Sequence, residues 1–206
     1  MYAPAYYRVT DPATLIPFMI ERDFATFITH DGERPVASHL LTEILRDDES
    51  VIIRSHMSRA NPQWKSLAAR EALVIFGGPH TYISPRWYDH VNVPTWNYQV
   101  VHAYGIPEIV SDDAQTRAHL KSIVDRYEKS AGDYSLEKLP EEFVRKEMKG
   151  LVVFQLRLTR LEASFKLSQN RNERDHANII EELHQRPDEA SRAIAEAMLE
   201  HNPHKK

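Results

Sequence analysis

The chain contains no cysteine. Disulfides, thiolate nucleophiles and cysteine-ligated zinc or iron–sulfur centres are therefore excluded, and a reducing, cytoplasmic setting is the expectation. Long apolar runs are missing too: nothing approaches the roughly 18 residues of a membrane span, and the opening MYAPAYYRVTDP lacks the build of a secretory leader. Neither HExxH nor GxSxG occurs, and Gly77-Gly78-Pro79 has no lysine behind it to make a phosphate loop. Those absences weigh against a zinc hydrolase, a serine hydrolase and a nucleotide triphosphatase. Positive charge is also short, 26 Lys and Arg against 30 Asp and Glu. A net charge of −4 gives nucleic acid no global attraction, so any DNA contact would need a local basic patch.

What is present is an ordinary globular composition, 42% hydrophobic and 27% charged over 206 residues. That length suits one substantial core, or one domain with an appendage. The densest stretch in rings and side-chain donors is Ala72–Gly105. It holds His80 with Trp87, His90 with Trp96, and His102 beyond, on loops stiffened by Pro79, Pro85 and Pro94. Rigid aromatic loops with polar tips can wall a small-molecule site, although core or dimer contacts are the commoner use of such rings. Eleven histidines raise the question of a metal. No pair of them sits with a carboxylate at ligand spacing, and no metal is expected.

Read in order, Asp11-Pro12 opens a helix running to about Arg22, with Pro17 expected to kink or shorten it. Phe24–His30 alternates as a strand, Asp31-Gly32 is a hairpin turn, and Pro35–Leu45 returns. An acidic turn at 46–50 leads to a third strand, 51–57. Asn61-Pro62 starts a short helix with Trp64, Leu67 and Ala68 inward. Strands follow at Ala72–Gly77, His80–Ser84 and Thr95–Val110, the first two separated by a break at Gly77-Gly78-Pro79. Asp112-Asp113 starts a helix whose apolar face is Leu120, Ile123, Val124 and Tyr127. A loop at 130–134, a helix from Pro140 to Met148 and a long strand at 151–167 come next. Two polar helices split at Pro187 finish the chain, with Ile194 and Met198 as a narrow stripe for docking or dimer contact. Short antiparallel strands with interposed helices predict a mainly β, α+β domain built as a small barrel.

One run could hold an anion. Ser55 to Pro62 leaves a strand and enters a helix, bringing Ser58, Arg59 and helix-terminal amides together. On these residues alone, capping by Ser58 and Asn61 with Arg59 in solvent is the favoured explanation. Ser38-His39 on the neighbouring strand adds donors that narrow the odds.

These blocks together resemble a known family. MYAPAYYRVTDP, ASHLL (37–41), HMSRANPQW (56–64), ALVIFGGPHTYISPRWY (72–88), VPTWNYQVVHAYG (93–105) and FKLSQNR (165–171) are similar, in family order, to the PaiB-type FMN-binding negative transcriptional regulators. The resemblance spans the chain to about residue 171, and DHANIIEEL resembles the family's closing helix. It implies an FMN-binding split β-barrel over 1–171, related to pyridoxamine-phosphate oxidases, with a helical extension over 172–206 packing on the barrel or a dimer partner. It implies a homodimer holding FMN at the subunit interface. Carried over by motif, Arg59 would be the main phosphate ligand, helped by Ser58 and Asn61. Ser38, His39, Leu40 and His56 would lie along the flavin, and Trp96, Asn97, Ser168, Gln169 and Asn170 would edge the ring system. The strand ASHLL departs from the oxidase relatives, which place cations there, and haem is the alternative ligand. A repressor is implied by the family name, yet no helix-turn-helix in a basic context is visible and His204-Lys205-Lys206 is too short a patch. The competing reading is an FMN-dependent oxidoreductase, or a haem-handling protein, with an indirect effect on transcription. No residue can be nominated as general acid or base from sequence.

Overall fold

The structure, a computed structural model, describes residues 1–47, 50–128, 132 and 134–205. Asp48-Glu49 of the expected acidic turn, residues 130, 131 and 133 of the expected loop, and Lys206 lie outside the described residues, as does the side chain of Ala68. The elements are β1 (Arg8–Val9), α1 (Pro12–Glu21), β2 (Phe24–His30), β3 (Pro35–Asp47), β4 (Ser50–Ser58), a 3₁₀ segment (Pro62–Ala69), β5 (Ala72–Ile83), β6 (Thr95–Ile109), α2 (Asp113–Glu128), α3 (Glu141–Lys149), β7 (Leu151–Lys166), α4 (Glu173–His184) and α5 (Glu189–Glu200). The antiparallel sheet has the order β1-β7-β4-β3-β2-β5-β6, and β7 also pairs with β6, so the order returns on itself as a barrel. The mainly β, α+β class expected from the strand spacing is the class observed.

Two compact units divide the chain: a first of residues 1–17, 76–102 and 162–206, and a second of residues 18–75 and 103–161. In the second unit β3 changes partner along its length. Pro35–Leu41 pairs with β2, and Thr42–Asp47 pairs with β4. β4 then pairs with β7 from Ile52↔Arg157 to Ser58↔Leu151. The core here includes Phe27, Ile53, Met57, Val74, Phe154 and Leu156, with the Phe27 and Phe154 rings 4.8 Å apart. Each such side chain contributes roughly 1.5–3 kcal/mol by leaving water. β6 and β7 approach so closely that a Cβ on Gly105 would lie 2.5 Å from the Arg157 carbonyl oxygen. Only glycine fits there.

In the first unit β1 pairs with β7 at Arg8↔Ser164 and Val9↔Ala163. Its helices α4 and α5 are capped by Asn172 and Asp188, each accepting a 2.8 Å bond from a backbone N–H three residues on. Ile179, Leu183, Ile194 and Met198 are all fully buried, so the stripe expected to dock is closed within this unit. Thr81 Oγ1 and Ser191 Oγ, 2.8 Å apart, tie α5 to β5.

The expected break at Gly77-Gly78-Pro79 is absent: β5 is continuous. Its buried residues are Ala72, Val74 and Phe76 before that tripeptide and Thr81 and Ile83 after it, so the inward face changes parity there. A strand tolerates glycine and proline at such an irregularity because ladder bonds are already interrupted.

Candidate functional site

The second unit contains a cavity of about 810 Å³ whose lining includes Arg59, Trp64, Ile109, Arg117, Arg145, Met148, Lys149 and Val152. Arg59 stands where β4 ends, its backbone N–H donating to the Gly150 carbonyl at 2.8 Å. Its guanidinium donates from Nε to the Lys149 carbonyl (2.9 Å) and from Nη2 to the Leu151 carbonyl (2.8 Å), and it lies 5.9 Å from the Trp64 ring. A guanidinium has five N–H donors in a planar fork, so three remain for an anion after these two. Glu141 is engaged at 3.0 Å by both Arg117 and Arg145, and Asp113 is the other acidic residue of the lining. The cavity therefore combines cationic side chains with apolar walls.

Ser58 and Asn61 serve the turn. Ser58 Oγ accepts from Ala60 N–H (3.2 Å), and Asn61 Oδ1 accepts from Gln63 N–H (3.0 Å), capping the 3₁₀ segment. Asn61 Nδ2 donates to Ser38 Oγ (3.0 Å), which itself donates to Gln63 Oε1 (2.6 Å). Gln63 is buried, its amide donating to Thr29 Oγ1 and the Val36 carbonyl. Ser38 and Asn61 are thus brought together, with Gln63 at the centre, a residue the sequence reading did not single out. On the same strand His39 is exposed, its Nδ1 3.2 Å from Thr26 Oγ1 and its ring 6.2 Å from Phe24, while Leu40 is half-buried opposite Ala25.

His56 belongs to a second arrangement. Its Nδ1 lies 3.1 Å from Nε2 of His119 on α2, and His119 Nδ1 lies 3.0 Å from Glu43 Oε2 on β3. Ser122 Oγ donates to the other Glu43 oxygen. Burial alone would raise the Glu43 carboxyl, but the bonds from His119 and Ser122 outweigh it and hold Glu43 below its ordinary value. An ionised carboxylate only accepts, so His119 Nδ1–H donates to Glu43 Oε2. The contact between His56 Nδ1 and His119 Nε2 holds one proton, so one of the two ring nitrogens donates and the other accepts. Burial first and His119 second push His56 from 6.5 down to about 4. This is a chain along which a proton can be passed or a ring orientation locked. Glu43 and His119 were missed because α2 presents a polar stripe inward, Thr116 and His119 being its buried residues, while Tyr127 of the expected apolar face is 49% exposed. The spacing Thr116, His119, Ser122 on one helix face was the available signal.

The remaining expected residues lie in the first unit. Trp96 is 46% exposed, its ring 5.7 Å from His80 and 6.3 Å from Tyr82. His80 thus pairs with Trp96 and not with Trp87, whose ring faces Arg186 at 5.4 Å. Asn97 is wholly buried and exchanges bonds of 3.0 and 3.2 Å with Ser168 Oγ. Ser168 adopts a positive φ of 61° at the exit of β7. Gln169 folds back onto Leu167 N–H and the Phe165 carbonyl, and Asn170 Oδ1 accepts from Tyr7 OH at 3.3 Å. His90 is near Asp89 (2.8 Å) and Asp175 (3.4 Å), the latter also bonded to Asn172 at the start of α4. Among the described residues no helix is long and apolar enough to cross a membrane.

Comparison with known proteins agrees with the motifs. Residues 1–160 match the family described as "Putative FMN-binding domain". The chain is 38% identical over 200 residues, 96% of both chains, to the protease synthase and sporulation protein PAI 2 of Bacillus subtilis. Among solved structures it is similar to an FAD- and haem-binding protein from Mycobacterium smegmatis (TM-score 0.60, 19% identity, 78% of this chain and 73% of that one). It is equally similar to a flavocytochrome from Azotobacter vinelandii (TM-score 0.60, 16% identity, 85% and 78%). At such identities the structural likeness speaks for the split-barrel fold. The family match and the Bacillus relative go further: the chain belongs to the PaiB-type FMN-binding family, with FMN as its cofactor.

Proposed function

We propose that the protein is an FMN-binding regulator that works as a homodimer with FMN at the subunit interface, and that the phosphate of FMN is taken by Arg59. The observation that carries the phosphate assignment is the cavity of about 810 Å³ with Arg59, Arg145 and Lys149 on its walls. Its size is within the roughly 300–1,000 Å³ of small-molecule sites, and three donors of Arg59 remain free of the carbonyls that orient it. Trp64, Ile109, Met148 and Val152 supply apolar surface suited to a flat ring system. Ser38 and Asn61 brace the turn that presents Arg59, and His39, Leu40 and His56 lie on the two strands beside it. Support for a dimer comes from exposed apolar side chains on the first unit, Val91, Val93 and Trp96 among them. When bound, FMN supplies one- and two-electron chemistry. A flavin titration of the purified protein, with its mass measured in solution, tests this reading. Saturable binding by a dimer is expected; no binding at micromolar-order FMN, or a monomer that binds equally well, overturns it.

A second reading is favoured by the Glu43–His119–His56 chain: an FMN-dependent oxidoreductase in which His56 holds or moves a proton. Regulation through DNA requires a sequence-specific complex that survives physiological salt. Reduction of the bound flavin by a nicotinamide donor with turnover, and no such DNA complex, would decide for the enzyme.

A further inference from the structure

The loop that follows Trp87 and the first turn of α4 meet in a cluster that the FMN reading does not use. Asp89, His90 and Asp175 each present one ligand atom, and these atoms all lie within 4.8 Å of one another. Among the described residues no other three His, Asp or Glu side chains converge in this way. Asp175 stands 86 residues beyond Asp89, so local spacing gives no hint of the set.

His90 Nδ1 is 2.8 Å from Asp89 Oδ1 and 3.4 Å from Asp175 Oδ2. Two N or O ligands held at about 2.0–2.2 Å from one ion stand roughly 3.0–3.5 Å apart in octahedral or tetrahedral geometry, so these atoms are spaced to share an ion after small adjustments. Asp175 is held in place from behind: Oδ1 accepts from Asp89 N–H (2.9 Å) and Oδ2 from Asn172 Nδ2 (3.2 Å). Asp89 and His90 are the outer members, their side chains 35% and 50% exposed, and an ion reaches the cluster from their side without any opening of α4.

Charge points the same way. Asp175 is wholly buried, and among the described residues neither carboxylate has an ion pair with lysine or arginine; Arg174 acts on Asp89 from beyond such contact. Asp175 accepts at both oxygens, as an ionised carboxylate does, and the bond from His90 holds the Asp89 carboxyl below its ordinary value. With a neutral imidazole the cluster carries two negative charges, one of them out of water, where an unbalanced carboxylate is costly. A proton on His90 balances one charge; a divalent ion balances both.

We propose that Asp89, His90 and Asp175 bind a divalent transition-metal ion of the zinc or manganese type, through Nδ1 and one oxygen of each carboxylate, and that the ion pins the loop after Trp87 to α4. One imidazole with two carboxylates suits such ions better than magnesium or calcium, which favour oxygen alone. Three protein ligands leave at least one position to water.

The test titrates the whole, metal-free protein at neutral pH with zinc and, separately, with magnesium, read by calorimetry and by the thermal midpoint. Zinc should bind saturably at one ion per chain and raise the midpoint; magnesium at equal concentration should do neither. Eleven histidines offer zinc other contacts, so variants decide the place. His90→Ala and Asp89→Asn, each changing a solvent-facing side chain, should weaken zinc about tenfold or more and remove the rise in midpoint, with far-UV circular dichroism unchanged. No saturable zinc binding, equal binding of magnesium, or an unchanged zinc affinity in either variant overturns the proposal, the last by leaving the cluster as an ion pair balanced by a proton.

Discussion

Replacing His56 by glutamine should remove an acid sensitivity that the wild-type protein carries. In the folded chain His56 is pushed from 6.5 to about 4, by burial and then by His119 3.1 Å away. The unfolded chain takes up this proton as pH falls below 6.5, whereas the folded chain refuses it until about 4. Stability from this group is therefore complete above pH 6.5 and is lost progressively as pH falls toward 4. At about 1.4 kcal/mol per pH unit, the loss over that window approaches roughly 3 kcal/mol. Glutamine fills similar space, offers a donor to His119 and does not titrate. Urea unfolding at about pH 7.5 and about pH 4.5 reads the effect as the change in midpoint at constant slope. Wild type should lose roughly 2–3 kcal/mol more than His56→Gln between those values. Glu43, held low, contributes stability that is present above the ordinary carboxylate value and lost below it, in both proteins alike. Parallel pH profiles for the two proteins would refute the reasoning, since His56 would then titrate normally.

Arg59→Ala should weaken FMN by about 1.5–3 kcal/mol, tenfold or more, in a flavin fluorescence titration, because a charge-assisted phosphate contact is removed. Gly105→Ala should lower stability by about 1–3 kcal/mol in thermal melts, since its Cβ would meet the Arg157 carbonyl oxygen at 2.5 Å. Met198→Ala should cost about 2–5 kcal/mol by leaving a cavity beside Asn97, and unchanged urea stability would show that α5 is not integral to its unit.

Much of the fold was legible. Asp11-Pro12 and Asn61-Pro62 start helical segments because proline needs no N–H at a first turn, and both segments begin at the expected residues. β2 and β3 pair across Asp31-Gly32 because glycine accepts the positive φ that the turn requires, 112° at Gly32. β6 was legible as a strand but not as to its faces. Its buried residues are Asn97, Gln99, Val101, Ala103, Gly105 and Pro107, whereas Trp96 and Tyr98, the more apolar positions by sequence, point the other way. Inward Asn97 is tolerated because a partner waits for it, Ser168.

The ligand chemistry divides in the same manner. Residue types alone excluded thiolate and cysteine-metal chemistry, and long local motifs identified the family and its flavin, because the turn Ser58–Asn61 and the capped helix starts are written in adjacent residues. Only tertiary structure decided which groups meet. Glu43, His56 and His119 are brought into one hydrogen-bonded chain from β3, β4 and α2, and Gln63 joins Ser38 to Asn61. Hydrogen bonds act over about 3 Å, and no periodicity along the chain records which distant side chains will come within that reach.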